Sequence, residues 1–123
     1  MTGRLEGKVS IITGGGGAMP GAQAVLFASE GSSVCVTDVN LENANAVVER
    51  IKANGGKALS HQLDVRDQDE WDTLVQVAEK EFGPVDILCN NAGANFRVSF
   101  EEQSLEMWNQ IIEIGLTGTF LGI

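Results

Sequence analysis

Four consecutive glycines, Gly14-Gly15-Gly16-Gly17, follow directly on the apolar run Val9–Thr13. Glycines between a strand and a helix let the backbone approach a diphosphate, whose charge the N–H groups and dipole of the helix start then favour. Asp38 closes the next apolar run, 24 residues after Gly14, where a carboxylate can accept hydrogen bonds from ribose hydroxyls. Two further polar clusters stand at the ends of later apolar runs, Asp64-Val65 and Asn90-Asn91-Ala92-Gly93. Groups suited to acid–base chemistry are sparse. The chain has no tyrosine, and its one histidine, His61, falls within an apolar run and reads as an ordinary strand residue. No set of side chains reads as a metal site.

The elements that must position these residues alternate along the chain. Short apolar runs at Val9–Thr13, Val34–Thr37, Ala58–Leu63 and Val85–Cys89 read as strands, three of them rich in β-branched residues and without strict alternation. Strands buried on both faces look like this. Between them lie helical patterns. Ala22–Ser29 forms a short first helix ended by Gly31. Ala44, Val47, Val48 and Ile51 recur at i, i+3, i+4, i+7 after Asn40, a candidate N-cap. Trp71, Leu74, Val75, Ala78 and Phe82 make a similar stripe, with Asp67-x-x-Glu70 before it in a capping-box arrangement and Gly83-Pro84 after it as a stop. A last helix is expected from Ser104 to the end, with Leu105, Trp108, Ile111, Ile112 and Phe120 as its apolar face. The alternation predicts an α/β fold: a parallel sheet with right-handed crossovers and helices on both faces.

Composition narrows the function classes. At 123 residues and 43% hydrophobic content the chain fits one ordinary soluble domain. No apolar run approaches the ~20 residues of a membrane span, and the polar stretch Met1–Lys8 lacks a signal-peptide core. A cytoplasmic location is expected. The net charge of −9 lies wholly in residues 62–123, where three Lys/Arg face twelve Asp/Glu. That half would repel a phosphate backbone, so nucleic acid is not an expected partner. Cys35 and Cys89 fall in the second and fourth strands. With another strand between them they would stand about 10 Å apart, beyond disulfide reach, as small apolar side chains in a reducing compartment.

Taken together, these landmarks resemble the short-chain dehydrogenase/reductase family. Thr13-Gly14 opens its glycine motif, Asp64-Val65 matches the pair after its third strand, and Asn90-Asn91-Ala92-Gly93 matches the signature after its fourth. Leu116–Phe120 looks like a segment of the following helix, and the spacing fits without gaps across essentially all 123 residues. The resemblance implies a Rossmann-like parallel sheet of strand order 3-2-1-4, with residues 1–123 forming one incomplete domain that stops before the later strands. It implies NAD(P)-dependent hydride transfer between an alcohol and a carbonyl. The Asp64 carboxylate would accept from the adenine amino group and the Val65 amide would donate to the ring. Asn91, Ala92 and Gly93 would lie beside the cofactor ribose. Ile12 with Gly14, Gly15, Gly16 and Gly17 would line the diphosphate and ribose. Asp38 would favour NAD over NADP, since a carboxylate there repels a 2′-phosphate and no Arg or Lys follows it.

Three departures from the family pattern bear on function. The second and third glycines of Thr-Gly-x-x-x-Gly-x-Gly align with Ala18 and Pro20; one adds a methyl and the other removes an N–H donor. An asparagine that joins the family's proton relay aligns with Gly115. The family's acid/base Tyr-x-x-x-Lys and its assisting Ser belong to segments beyond residue 123. The expected reading is therefore a truncated short-chain oxidoreductase, inactive by itself, with no catalytic residue of its own; the alternative is a non-catalytic dinucleotide-binding or interaction module. A small-molecule substrate would bind only with the missing half supplied. The fourth strand's outer edge and the last helix's apolar face, including Met107 and Ile114, would lie uncovered, and in the family this helix helps form a dimer, so self-association is expected.

Overall fold

A computed structural model describes residues 3–123; Met1 and Thr2, part of the polar leading stretch, lie outside them. Strands β1 (Val9–Ile12), β2 (Ser33–Asp38), β3 (Lys57–Gln62) and β4 (Ile87–Cys89) form one sheet in the order β3-β2-β1-β4. Every pairing is parallel, with Ile11 opposite both Cys35 and Leu88. The order is the expected one.

Successive strand residues face opposite sides of a sheet, and here each side has its own core. Ile12, Val34 and Val36 pack against Ala24 and Ala28 of α1 (Ala18–Ser29) and Val47, Val48 and Ile51 of α2 (Leu41–Ala53). Ile11 and Cys35 point the other way, onto Trp71, Leu74 and Ala78 of α3 (Gln68–Phe82). The two cysteines are free and separated by β1. Burial pushes the Cys35 thiol up to about 12, and raises that of Cys89 as well.

Local chemistry sets the helix ends, with some differences from expectation. Asn40 caps α2, its Oδ1 accepting from Asn43 N at 3.2 Å. Asp67 caps α3 through Glu70 N at 3.1 Å. The reciprocal half of the expected capping box is absent, because the Glu70 carboxylate instead accepts from Asp64 N at 3.0 Å. Helix α1 begins at Ala18, four residues before the expected Ala22. Pro20 falls within its first turn, where helix N–H groups have no intrahelical partner to lose. Strand β4 is shorter than Val85–Cys89: Asp86 N donates to Val9 O at 2.9 Å and Val9 N to Asp86 Oδ2 at 2.9 Å, but pairing in register starts at Ile87.

The last helix differs most. After a 3₁₀ turn at Phe100–Glu102, α4 (Leu105–Ile112) runs into a π turn at Glu113–Thr117 and then α5 (Gly118–Gly122). The wider π turn rotates the face that follows it. Ile114, Gly118 and Leu121 meet the α3 core, whereas Leu105 (74%), Trp108 (56%) and Phe120 (73%) of the expected apolar face stay exposed, with Ile111 and Ile112 half-buried. Two small residues allow the approach: a Cβ at Gly118 would lie 2.6 Å from Val65 Cγ2, and one at Gly122 would lie 2.8 Å from the Trp71 ring. Among the described residues no helix is long and apolar enough to cross a membrane, and no cluster of His, Cys, Asp or Glu could hold a metal.

Candidate nucleotide cleft

Parallel sheets place their loops at the carboxyl ends of the strands, where ligands bind. A cleft of about 390 Å³ opens there, a volume suited to a small molecule. Gly14, Gly16, Gly17 and Pro20 form one wall, Asp38, Val39 and Asn43 the end beside α2. Leu63, Asp64, Val65 and Arg66 follow from the end of β3, Asn91, Ala92 and Gly93 from the end of β4, and Ile114 from the π turn.

Hydrogen bonds within the glycine loop decide which donors it can offer. Gly14 has φ +61, a left-handed conformation suited to glycine. Gly15 N donates to Thr37 O at 2.8 Å, Gly16 N to Asp38 Oδ2 at 3.0 Å, and Gly17 N to Gly14 O at 3.0 Å. Among the described residues, the N–H groups of Ala18 and Met19 are left without a partner at the start of α1. Gly16 is also a matter of space: a Cβ there would stand 2.5 Å from Asn43 Cβ and 2.9 Å from Asp38 Oδ2.

Asp38 joins the glycine loop to α2. Its Oδ2 accepts from Gly16 N and its Oδ1 from Asn40 N at 2.9 Å. An ionised carboxylate has about four acceptor positions, so roughly one remains on each oxygen. Asp64, across the cleft, is paired more fully. Arg66 donates to its Oδ1 from N (3.0 Å) and Nε (2.9 Å) and to its Oδ2 from Nη2 (2.7 Å). These Arg66 bonds hold the Asp64 carboxyl below the usual carboxylate range, against an opposing push from partial burial.

The segment after β4 is tied to β1 by one side chain. Thr13 Oγ1 accepts from Asn91 N at 3.0 Å and Ala92 N at 3.1 Å, while its own hydroxyl points to Cys89 O. Asn91 Nδ2 donates to Gln23 Oε1 on α1 at 2.6 Å. Gly93 is open, with no atom within 4 Å of a Cβ built there; the fold by itself does not require glycine at this position. Val65 is held from behind, where Trp71 Nε1 donates to its carbonyl at 2.8 Å.

Of the residues expected at the site, Gly14, Gly16, Gly17, Asp38, Asp64, Val65, Asn91, Ala92 and Gly93 line one cleft. Ile12 and Gly15 do not. Ile12 is fully buried in the α1–α2 core, and Gly15 turns inward, where a Cβ would meet Val36 at 2.7 Å. Sequence reasoning missed Arg66 and Ile114 as lining residues and Thr13 as the tie. Thr13 directly precedes the glycines and Arg66 stands two residues from Asp64, so their positions held a signal. Ile114 held none, because no local pattern marks the π turn that aims it.

Comparison with known proteins agrees with this geometry. The family described as short chain dehydrogenase matches residues 8–123. A 2,5-dichloro-2,5-cyclohexadiene-1,4-diol dehydrogenase of Sphingobium indicum is 44% identical over 123 residues, which is all of this chain and 49% of that protein. Cyclohexanol dehydrogenase of an Acinetobacter species is 37% identical over 98% of this chain and 48% of its own. Among solved structures, a hydroxysteroid dehydrogenase from Escherichia coli superposes with a TM-score of 0.90 at 35% identity, covering 97% of this chain and 50% of that one. A short chain dehydrogenase from Mycobacterium avium gives 0.90 at 35%, covering 98% and 44%. The chain spans about half the length of the curated relatives it matches. With the matched span, the parallel 3-2-1-4 sheet and the cleft at its carboxyl edge in agreement, the chain belongs to the short-chain dehydrogenase family.

Proposed function

We propose that the cleft binds NAD in preference to NADP, and that the protein is an NAD-dependent oxidoreductase acting between an alcohol and a carbonyl. One observation carries this reading. Asp38 stands at the end of the cleft with each carboxylate oxygen already held by one backbone N–H, leaving two acceptors for the paired hydroxyls of a ribose. A 2′-phosphate would instead meet that carboxylate, and the cationic side chain lining the cleft, Arg66, is committed to Asp64 and Glu113. The glycine loop fits a dinucleotide despite Ala18 and Pro20, because the N–H groups of Ala18 and Met19 remain for an anion at the helix start. The Asp64 carboxylate accepts from the adenine amino group, and the Val65 amide donates to the ring. Asn91, steadied by Gln23, Ala92 and open Gly93 flank the second ribose.

When bound, the dinucleotide supplies hydride chemistry. The residues of this chain bind and orient it. Carbonyl reduction also needs a proton donor at the oxygen, and the 123 residues contain no tyrosine. His61 lies on β3 with Nδ1 against Gln62 O at 2.7 Å, away from the cleft-lining residues. None of the cleft residues is assigned as that donor, and this stretch by itself is expected to bind without turning over. Two relatives named above act on hydroxylated six-membered carbon rings, which makes an alicyclic alcohol or ketone the substrate class to assay first.

Fluorescence titration with NADH and NADPH tests the binding half of the proposal. Saturable NADH binding, at least about tenfold tighter than NADPH, is expected. Equal affinities refute the role of Asp38, and no binding at millimolar NADH refutes the nucleotide reading. Incubation with NADH and cyclohexanone should consume no NADH above the blank; steady turnover would show that the chain carries its own proton donor.

A further inference from the structure

The Asp64–Arg66 pair is too exposed to be explained by stability. The two side chains are 34% and 40% exposed, and pairs of that kind contribute little to folding. Its geometry is nevertheless more specific than a surface contact needs. The Arg66 backbone N–H holds only Oδ1 of Asp64, which leaves the carboxyl free to rotate. Nε and Nη2 of the same residue then grip both oxygens, and a two-point fork fixes the carboxylate plane. Glu113, on the π turn, stands 3.7 Å from Nη1 and holds the guanidinium from its other side. Three of about four acceptor positions on Asp64 are thereby filled, and the remaining one is on Oδ2.

We infer that Arg66 is a positioning residue that leaves a single acceptor, on Asp64 Oδ2, for an amino group of the bound base, and so sets a preference for an aminopurine over its oxo counterpart. The inference rests on the proposed placement of adenine beside Asp64. An exocyclic amine donates to the fixed lone pair. A carbonyl oxygen at the same place would face it without a proton between. Without the fork, the carboxylate can pivot to take the adjacent ring N–H that the oxo base carries, and the preference narrows.

Equilibrium binding of NAD and of nicotinamide hypoxanthine dinucleotide, followed by calorimetry, tests this in the wild type, Arg66→Gln and Arg66→Lys. The expected wild-type preference for NAD is about tenfold, narrowing in both variants, because lysine keeps the charge but not the fork, while the Val65 amide still disfavours the ring N–H of the oxo base. The pH profile separates charge from fork. The charged groups near Asp64 are Arg66, Glu70 from α3, Glu113 from the π turn and Asp38 across the cleft. Arg66 is the one that favours its ionised form. The acid limb of NAD binding should therefore move to higher pH in Arg66→Gln and stay near that of the wild type in Arg66→Lys. Equal preference for NAD in all three proteins overturns the inference, as does an acid limb unmoved in Arg66→Gln. Failure of the wild type to bind NAD at all refutes the proposed function instead, so the two are distinguishable.

Discussion

Gly118→Ala and Gly115→Ala make the same chemical change three residues apart and should have opposite effects on stability. A Cβ at Gly118 would lie 2.6 Å from Val65 Cγ2, 3.0 Å from Val65 Cβ and 3.3 Å from Val65 O, against the roughly 3.5–4.0 Å of an ordinary carbon contact. Val65 has little room to retreat, since it is 6% exposed and its carbonyl accepts from buried Trp71. Helix α5 must move outward, and overpacking of this kind costs about 1–3 kcal/mol. The helix preference of alanine over glycine returns about 1 kcal/mol, leaving a net loss of about 1 kcal/mol and a melting temperature lower by about 4 °C. At Gly115 no atom lies within 4 Å of the added Cβ, so only the propensity gain remains and the melt should rise by a similar amount. Thermal unfolding followed by circular dichroism reads both. A Gly118→Ala protein that melts at or above the wild type would refute the packing argument. Because Val65 also lines the cleft, NADH affinity should fall in Gly118→Ala and hold in Gly115→Ala.

Asp38→Asn removes the charge that would repel a 2′-phosphate and weakens the hydrogen bonds to ribose, so NADH should bind about tenfold more weakly while NADPH gains relative to it; an unchanged ratio in competitive titration speaks against the Asp38 argument. Gly16→Ala drives a Cβ to within 2.5 Å of Asn43 Cβ, so the loop must leave Asp38 and saturable NADH binding should be lost; retained affinity in fluorescence titration would show that the Gly16–Asp38 contact is dispensable. Cys35 gives a pH prediction. Its folded thiol is raised to about 12, above an unfolded value near 8.5, so its contribution is intact below that value and declines as pH rises toward 12. Chemical denaturation across the alkaline range should show a slope approaching about 1.4 kcal/mol per pH unit that Cys35→Ala reduces; identical slopes in the two proteins would count against it.

The parallel sheet and both cores were legible because doubly buried strands and amphipathic helices leave strong patterns in sequence, while the strand order followed from the family resemblance. Val34-Cys35-Val36 offers an apolar residue to both faces in turn, and α2 and α3 each carry an apolar stripe on a polar helix. The cleft's acidic residues were legible for a different reason: Asp38 and Asp64 follow apolar runs and must emerge at the carboxyl edge of the sheet. What was not legible depended on tertiary contacts that local pattern does not encode. The apolar residues of 104–123 read as one continuous face, but the π turn at Glu113–Thr117 breaks it: Leu105, Trp108 and Phe120 stay at the surface and Ile114 comes in. Glu70 had two backbone N–H groups within reach, and only the path of the chain after β3 gave it to Asp64 rather than to Asp67. Gly15 reads as a loop glycine facing the ligand, but its N–H and its missing side chain both serve the packing of β1 against β2.

The proposed complex requires a dianionic diphosphate to share a cleft with two carboxylates. Unshielded charges of like sign would repel by about 1 kcal/mol in water and several times that at a partly buried site, even at 4 Å. Neither carboxylate is unshielded. Asp38 is held by two backbone N–H groups and Asp64 by a guanidinium and its backbone amide. In the proposed complex their remaining acceptors take neutral donors, ribose hydroxyls and a base amine, while the N–H groups of Ala18 and Met19 lie at the start of α1, between Gly17 and Pro20. The proposed complex would thereby sort the nucleotide along the cleft by charge, with hydroxyls and base toward the carboxylates and phosphates toward the helix start. Raising salt tests the sorting. Binding through oriented amides and neutral donors involves few mobile ions, so the NADH affinity should be weakly salt-dependent, whereas NADPH, whose added phosphate meets Asp38, should gain as salt screens that repulsion. A steep loss of NADH affinity with salt would mean that the phosphates are held by side-chain cations instead, and the role given to Ala18 and Met19 would fail.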